Sequence, residues 1–244
     1  MRAVRDVRAL PVLEAALSGR PEGRLLAADL SRRTALGLRL SSTGVCVLEV
    51  PEVPADYSLG RSRQTLRRKV RAAAKAGVGW REVTDEDEQA ALARRLDDHL
   101  PQKRDRRYRQ VDSDHSHMVG SGLWAVAEDA EGTPLVLSVT PHDGRWAQLR
   151  LFIALGDGPQ HSDARYLLTQ AVVETLSARG VRHLFDGRSP HELTNGLRHF
   201  QRMLGFTVVR VRLSRAEVSA EVRSLPAPRA EGPPARHADL ERVG

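Results

Sequence analysis

The sequence predicts an α/β fold in which a mixed, mostly antiparallel sheet is flanked by helices. Three observations carry this expectation. From residue 78 onward the periodicity gives the order strand, helix, linker, three-strand meander, helix, strand, helix, strand. Within the meander, the connections EDAEGTP and HDG are short and rich in turn formers, as antiparallel hairpins require. The 244 residues, 41% hydrophobic and 28% charged, suffice for one well-buried α/β core or two small ones.

Residues 1–57 open with a helical stretch, VLEAALSG, followed by two strands, TALGLRLS and GVCVLEVP, with a turn at Ser42, Thr43 and Gly44 between them. Pro51 and Pro54 close this segment. From Ser62 to Ala76 the pattern is helical, and Gly77 stands where a C-terminal glycine belongs. Strand VGWREV follows, and Thr84 is positioned to cap an acidic-started helix, DEDEQAALARRLDDHL, which Pro101 stops. Residues 102–121 are polar, basic and histidine-bearing, a loop or short helix. The meander strands are LWAVAED, PLVLSVTP and WAQLRLFIA. A long amphipathic helix spans Ala164 to Ala178, with Ser162 or Asp163 as its expected cap and Gly180 beyond its end. Strand VRHLFDG, helix TNGLRHFQRML and strand FTVVRVRL complete the pattern, with Phe200, Met203 and Leu204 spaced as a core face. The organisation expected is an N-terminal helix/strand extension (1–57) packed on a core (58–218), then a disordered Pro/Ala/Arg-rich tail (219–244).

Several function classes fall away. No apolar run approaches the roughly 20 residues that span a bilayer, and the N-terminus lacks an apolar stretch followed by a small-residue cleavage site. Cys46, the one cysteine, has no internal disulfide partner and reads as a buried thiol. These features point to the cytoplasm. No Gly-x-Ser-x-Gly, Walker loop, His-Glu-x-x-His or Cys-x-x-Cys occurs, which disfavours hydrolase, nucleotide-triphosphatase and zinc readings. Net charge is +7, carried almost wholly by arginine, since only Lys69, Lys75 and Lys103 are lysines. The excess favours an anionic partner such as a polyphosphate or RNA.

From Arg61 to Arg81 there are eight basic residues and no acidic one. At 100° per residue, Arg63, Arg67, Arg68, Arg71 and Lys75 share a flank opposite Leu66, Val70 and Ala73. Like charges at i,i+4 destabilise a helix by a few tenths of a kcal/mol each, a repulsion that an anionic ligand would offset. A solvated face and an anion-binding face both fit. A second cluster, KRDRRYR, holds Lys103, Arg104, Arg106, Arg107 and Tyr108, whose ring can stack on a base; a polar loop is the other reading. His115 and His117 in DSDHSHM lack the second ligand cluster that a structural zinc site needs, and acceptor binding suits them better. Asp186 ends strand VRHLFDG, where ligands of open α/β sheets gather. It is either a base or anchor for an acceptor amine, or half of an Asp-Gly turn.

The element order, together with three local features, resembles the GNAT (acyl-CoA N-acyltransferase) superfamily and, within it, the FemAB-like branch. RQTLRRKVRAAAKAGV (63–78) looks like the basic helix before the first core strand, ARYLLTQAVVETLSARGVRHLFDG (164–187) like the central helix and following strand, and GLRHFQRMLGF (196–206) like the helix ending in Leu-Gly-Phe. The match spans about two-thirds of the chain. The resemblance implies an acyltransferase that forms an amide, with the donor lying where WAQLRLFIA and VRHLFDG splay apart. Two departures bear on the donor. The glycine-rich loop that holds the CoA pyrophosphate is replaced by ALGDGPQHSDARYLL, with Pro159 removing an amide donor and an aspartate at the phosphate seat. Gln201 stands where many acetyltransferases carry a general-acid tyrosine. Asp186, Gln201 and Tyr166 are the candidate catalytic or hydrogen-bonding groups; His115, His117 and His199 are candidates for the acceptor. The resemblance implies aminoacyl-tRNA as donor and tRNA as partner, with acetyl-CoA as the alternative and a non-catalytic RNA-binding module as a third reading. No metal and no cofactor beyond the donor is expected.

Overall fold

The computed structural model describes residues 10–31, 44–103, 106, 109–187 and 194–215. The strand TALGLRLS, the tail, and Arg104, Arg107 and Tyr108 lie outside the described residues. The elements are β1 (Val12–Leu17), α1 (Pro21–Leu30), β2 (Gly44–Glu49), α2 (Gln64–Lys75), β3 (Gly79–Glu82), α3 (Glu86–His99), β4 (Leu123–Glu128), β5 (Pro134–Thr140), β6 (His142–Asp143), β7 (Trp146–Leu149), β8 (Leu151–Ala154), α4 (Pro159–Ala178), β9 (His183–Asp186), α5 (Asn195–Leu204) and β10 (Thr207–Arg215).

The mixed, mostly antiparallel arrangement is present, divided into two sheets. One has the order β1-β10-β2-β9-β7-β6, the other β3-β4-β5-β8. All pairings are antiparallel except β1 with β10 and β7 with β9. The division falls inside WAQLRLFIA. Its first half, β7, pairs with β9, and its second half, β8, pairs with β5, with Arg150 between them. The Arg150 amide donates both to Val139 O (3.2 Å) and to Gln148 O (2.9 Å), which turns the chain out of one sheet into the other.

Three apolar clusters fill the layers. The largest lies between the sheets and α2, α4 and α5, and includes Leu48, Leu66, Leu168, Leu176 and Phe200. A second, with Leu92, Leu96 and Trp124, seals α3 against the four-stranded sheet. A third, with Leu26, Leu30, Trp146 and Phe185, places α1 on the far face of the six-stranded sheet. Each fully buried leucine contributes on the order of 2 kcal/mol of transfer free energy.

Four local expectations are corrected. VLEAALSG is a strand, not a helix: Val12 to Leu17 run parallel to Arg210 to Arg215. The cap of α3 is Asp85 rather than Thr84, its carboxylate accepting from Glu88 N at 2.8 Å. Helix α4 begins at Pro159, not Ala164, after Gly158 at φ 111°. Proline at the first helical position loses nothing, because that amide has no partner within the helix. Consequently neither Ser162 nor Asp163 caps the helix. Asp163 lies within it and pairs with Lys69 of α2 at 2.6 Å, and the aspartate next to the helix start is Asp157, directly before Gly158.

Candidate active site

The site follows from the broken strand. β7 and β9 run parallel as far as the Leu149–Asp186 pair, and beyond it β8 leaves for the other sheet. A cleft of about 260 Å³ opens at this point. Leu151, Phe152 and Ile153 of β8 form one side, Phe200, Gln201 and Leu204 of α5 another, and Arg165 of α4 reaches in. The Arg165 guanidinium lies 4.2 Å from the centroid of Phe200 and 5.9 Å from that of Phe152, a cation–π arrangement.

Asp186 and Gln201 meet in this cleft. Thr194 caps α5, its hydroxyl accepting from Leu197 N at 3.3 Å, and the first two turns then carry Gln201 to the end of β9. Gln201 Nε2 donates to Asp186 Oδ2 at 2.5 Å. Gln201 is buried, so the carboxylate is held by an amide rather than by bulk water. The charge of Asp186 acts on Cys46: burial chiefly, and then that carboxylate, push the thiol up to about 11. Cys46 is therefore protonated near neutrality and is no nucleophile. Tyr166 is buried in the main core, its ring packed edge-on against Phe200 at 5.1 Å, and it is not among the residues that line the cleft.

The basic helix divides into two sets. Arg63 stacks on Tyr57 at 5.0 Å, and Arg67 Nη1 donates to the carbonyls of Ser58 (2.6 Å) and Gly60 (2.8 Å). These two arginines hold the segment before α2. Arg68, Arg71 and Lys75 are exposed along one flank, spaced three and four residues apart. Leu66 and Ala73 are buried on the opposite flank, as the periodicity predicts.

Lys103 is half-buried near the start of α4, its ammonium donating to Ala154 O, and burial lowers its pKa. Arg106 is exposed. His115 is locked to α3: its Nδ1 lies 2.5 Å from Asp97 Oδ1 and its amide donates to Asp97 Oδ2 at 3.0 Å. His117 is exposed beside it, with 6.3 Å between ring centroids. His199 is exposed on α5 and lines a different groove, together with Cys46 and Arg202. The structure thus gathers Asp186 and Gln201 in the cleft and leaves His115, His117 and His199 off its lining. Among the described residues, no group of three or more His, Cys, Asp or Glu side chains is placed to hold a metal ion. No described helix is long and apolar enough to cross a membrane.

Four polar cleft residues escape a sequence reading: Asp29, Gln148, Arg150 and Arg165. Asp29, on α1, accepts from Gln148 Nε2 and pairs with Arg150 Nη1 at 3.1 Å. One signal was available, since Gln148 and Arg150 are the polar residues in the otherwise apolar WAQLRLFIA.

The fold resembles that of several solved structures, FemX among them. The structure of L-PGS from Bacillus licheniformis superposes with a TM-score of 0.53 at 13% identity, over 74% of this chain and 62% of that one. The C-terminal domain of a protein from Agrobacterium fabrum bearing the name lysylphosphatidylglycerol synthetase gives 0.52 at 15% identity, over 69% and 58%. FemX gives 0.51 at 10% identity, over 68% and 59%. The chain spans about three-fifths of the length of each of these structures. No protein-family profile and no curated protein matches the sequence.

Proposed function

We propose that the chain is an acyltransferase that forms an amide bond in the cleft at the broken strand, taking an aminoacyl group from aminoacyl-tRNA. The observation that carries this reading is the Asp186–Gln201 pair, a partly buried carboxylate held at the mouth of an aromatic-floored cleft. In the reaction, the acceptor nitrogen adds to the ester carbonyl and a C–N bond forms. Asp186 takes the proton that the nitrogen sheds. The ester C–O bond then breaks, and the ribose oxygen leaves with a proton returned from Asp186. Catalysis of this kind rests mainly on positioning within the cleft. The acceptor is an amine of a peptide or small molecule.

Three features support tRNA: the exposed cations Arg68, Arg71 and Lys75, the absence of a glycine-rich pyrophosphate loop before α4, and the similarity to the FemAB-like branch. Asp163 is engaged with Lys69, and the acidic residue at the start of α4 is Asp157. One observation favours acetyl-CoA as a second reading. α4 begins without a side-chain cap, leaving its first amides available to a diphosphate.

The test is amide formation followed by mass, with candidate amines and either charged tRNA or acetyl-CoA. Ribonuclease abolishes turnover if tRNA is the donor; turnover that survives ribonuclease and needs only acetyl-CoA selects the second reading. Log affinity for tRNA is expected to fall with log salt by roughly 0.7 per phosphate contacted on single-stranded RNA. Replacing Arg68, Arg71 and Lys75 by alanine weakens binding and flattens that slope. RNA binding without turnover on any donor would sink the enzymatic reading.

A further inference from the structure

Gln148 is 1% exposed and lines the cleft, yet only one end of its amide is satisfied. Its Nε2 donates to Asp29, which fixes the orientation, since a carbonyl oxygen turned toward that carboxylate would face a second acceptor. Its Oε1 is therefore directed away from Asp29, buried, and without a partner among the described residues. A buried acceptor left without a donor costs about 1–3 kcal/mol, so a fold that keeps one is set up to receive a donor from elsewhere. The surroundings are crowded on the protein side: a Cβ at Gly187 would come within 2.6 Å of Gln148 Nε2 and push that amide aside.

The charges around this oxygen select the kind of donor. Asp29, Asp186, Arg150 and Arg165 all line the cleft, two carboxylates and two guanidiniums, with Asp29 paired to Arg150 at 3.1 Å. A cleft balanced in this way does not hold an amine in its protonated form as a purely acidic pocket would. The amide oxygen of Gln148 accepts an N–H without requiring a cation. Register pairs Gln148 with Phe185 and Leu149 with Asp186, so the Gln148 and Asp186 side chains leave opposite faces of the sheet, and both line the cleft that opens at these strand ends.

We propose that Gln148 Oε1 accepts a hydrogen bond from the acceptor's attacking amine, and that Asp29, supplied by the N-terminal segment, is the positioning residue that holds this oxygen in place. The assignment rests on the acyl-transfer reading above and adds its specificity determinant: acceptors carry a primary or secondary amine, presented as N–H. The N-terminal segment is then a working part of the site.

The experiment is an NMR titration of the full chain, labelled with nitrogen-15, with glycinamide and with propionamide, its isostere lacking the amine. Glycinamide is expected to shift the Gln148 side-chain amide saturably, and propionamide to leave it unmoved. Gln148→Met weakens glycinamide binding about two- to tenfold, the loss expected for one hydrogen bond. Asp29→Asn, a second variant in case the first fails to fold, weakens it as well by freeing the amide to turn; with an identified acceptor it raises KM more than it lowers kcat. Equal binding of the two probes, or unchanged glycinamide affinity in both folded variants, overturns the proposal. An amide-linked 3′-glycyl-adenosine, a stand-in for the donor end, is expected to bind together with glycinamide; mutual displacement would assign the amine to the donor and overturn the acceptor role. Absence of acyl transfer with every donor would defeat the proposed function and leave the titration result standing, so the two failures are distinguishable.

Discussion

Asp186 is the base of the proposed chemistry, and its neighbours define what each substitution does. Asp186→Asn keeps the shape and the contact with Gln201 but removes the base. Under the proposed chemistry it lowers kcat about 10²- to 10⁴-fold, the usual contribution of a positioned general base, while KM moves little. Gln201→Leu, which releases the carboxylate from its amide, costs less. Comparable kcat in Asp186→Asn and the parent would remove Asp186 from the mechanism. Cys46 offers a check that needs no substrate. With its thiol pushed up to about 11, it resists iodoacetamide at pH 8 in the folded protein and reacts on unfolding. Burial is the larger cause, so Asp186→Asn leaves it largely unreactive. Rapid native alkylation would contradict the burial.

At the scale of elements, the amphipathic helices and the meander are legible because their periodicity agrees with their surroundings. The failures occur where tertiary pairing decides. Leu, Glu and Ala in VLEAALSG favour a helix on propensity, but a free edge of β10 lies beside them, and the pairing Val12↔Arg210 to Leu17↔Arg215 wins. The break at Arg150 is equally hidden: WAQLRLFIA reads as one strand, and only the presence of two sheets shows that it serves both. Asp186, a candidate read from its strand end, and Gln201, a candidate read from the resemblance, meet in the cleft, whereas Asp29 arrives from α1, and nothing in its local sequence ties it to Gln148. The seating of α1 can be tested. Asp143 accepts from the amide (2.6 Å) and hydroxyl (2.7 Å) of Ser18, and a Cβ at Gly23 would fall 2.3 Å from Ser18 O. Gly23→Ala should therefore displace α1 despite alanine's better helix propensity, and lower the unfolding midpoint in urea. A raised midpoint would mean that propensity outweighs the clash. The basic helix gives a paired contrast: Arg67→Ala should destabilise the fold by releasing the Ser58 and Gly60 carbonyls, whereas Arg68→Ala should leave stability within about 0.5 kcal/mol.

Across the whole molecule, histidines packed at three separate places share one electrostatic consequence. His99 at the end of α3, His142 in β6 and His183 in β9 each have a ring nitrogen buried without a partner among the described residues. Burial lowers the pKa of all three below 6.5, with the positive charges of Lys103 near His99, Arg179 near His142 and Arg145 near His183 acting in the same direction. Above pH 6.5 the rings are neutral in both the folded and unfolded chains, and their contribution to stability is complete. As the pH falls below 6.5 the unfolded chain takes up protons that the folded chain refuses, so stability is lost until the pH passes the folded values. Asp97, whose pKa is lowered by His115 against the opposing effect of burial, adds a second loss in the more acidic range below 3.8. The expected result is a melting temperature that is flat from pH 8 to 7 and declines from pH 6.5 downward, well before carboxylates titrate. His183 stacks on Trp146 at a centroid distance of 4.5 Å, a contact that phenylalanine preserves. The His183→Phe variant should therefore stay folded and show a shallower decline over the same interval. A melting temperature unchanged between pH 7 and 5 in the parent chain would mean that these rings are hydrated or hydrogen-bonded in solution, and the electrostatic account of all three would fall together.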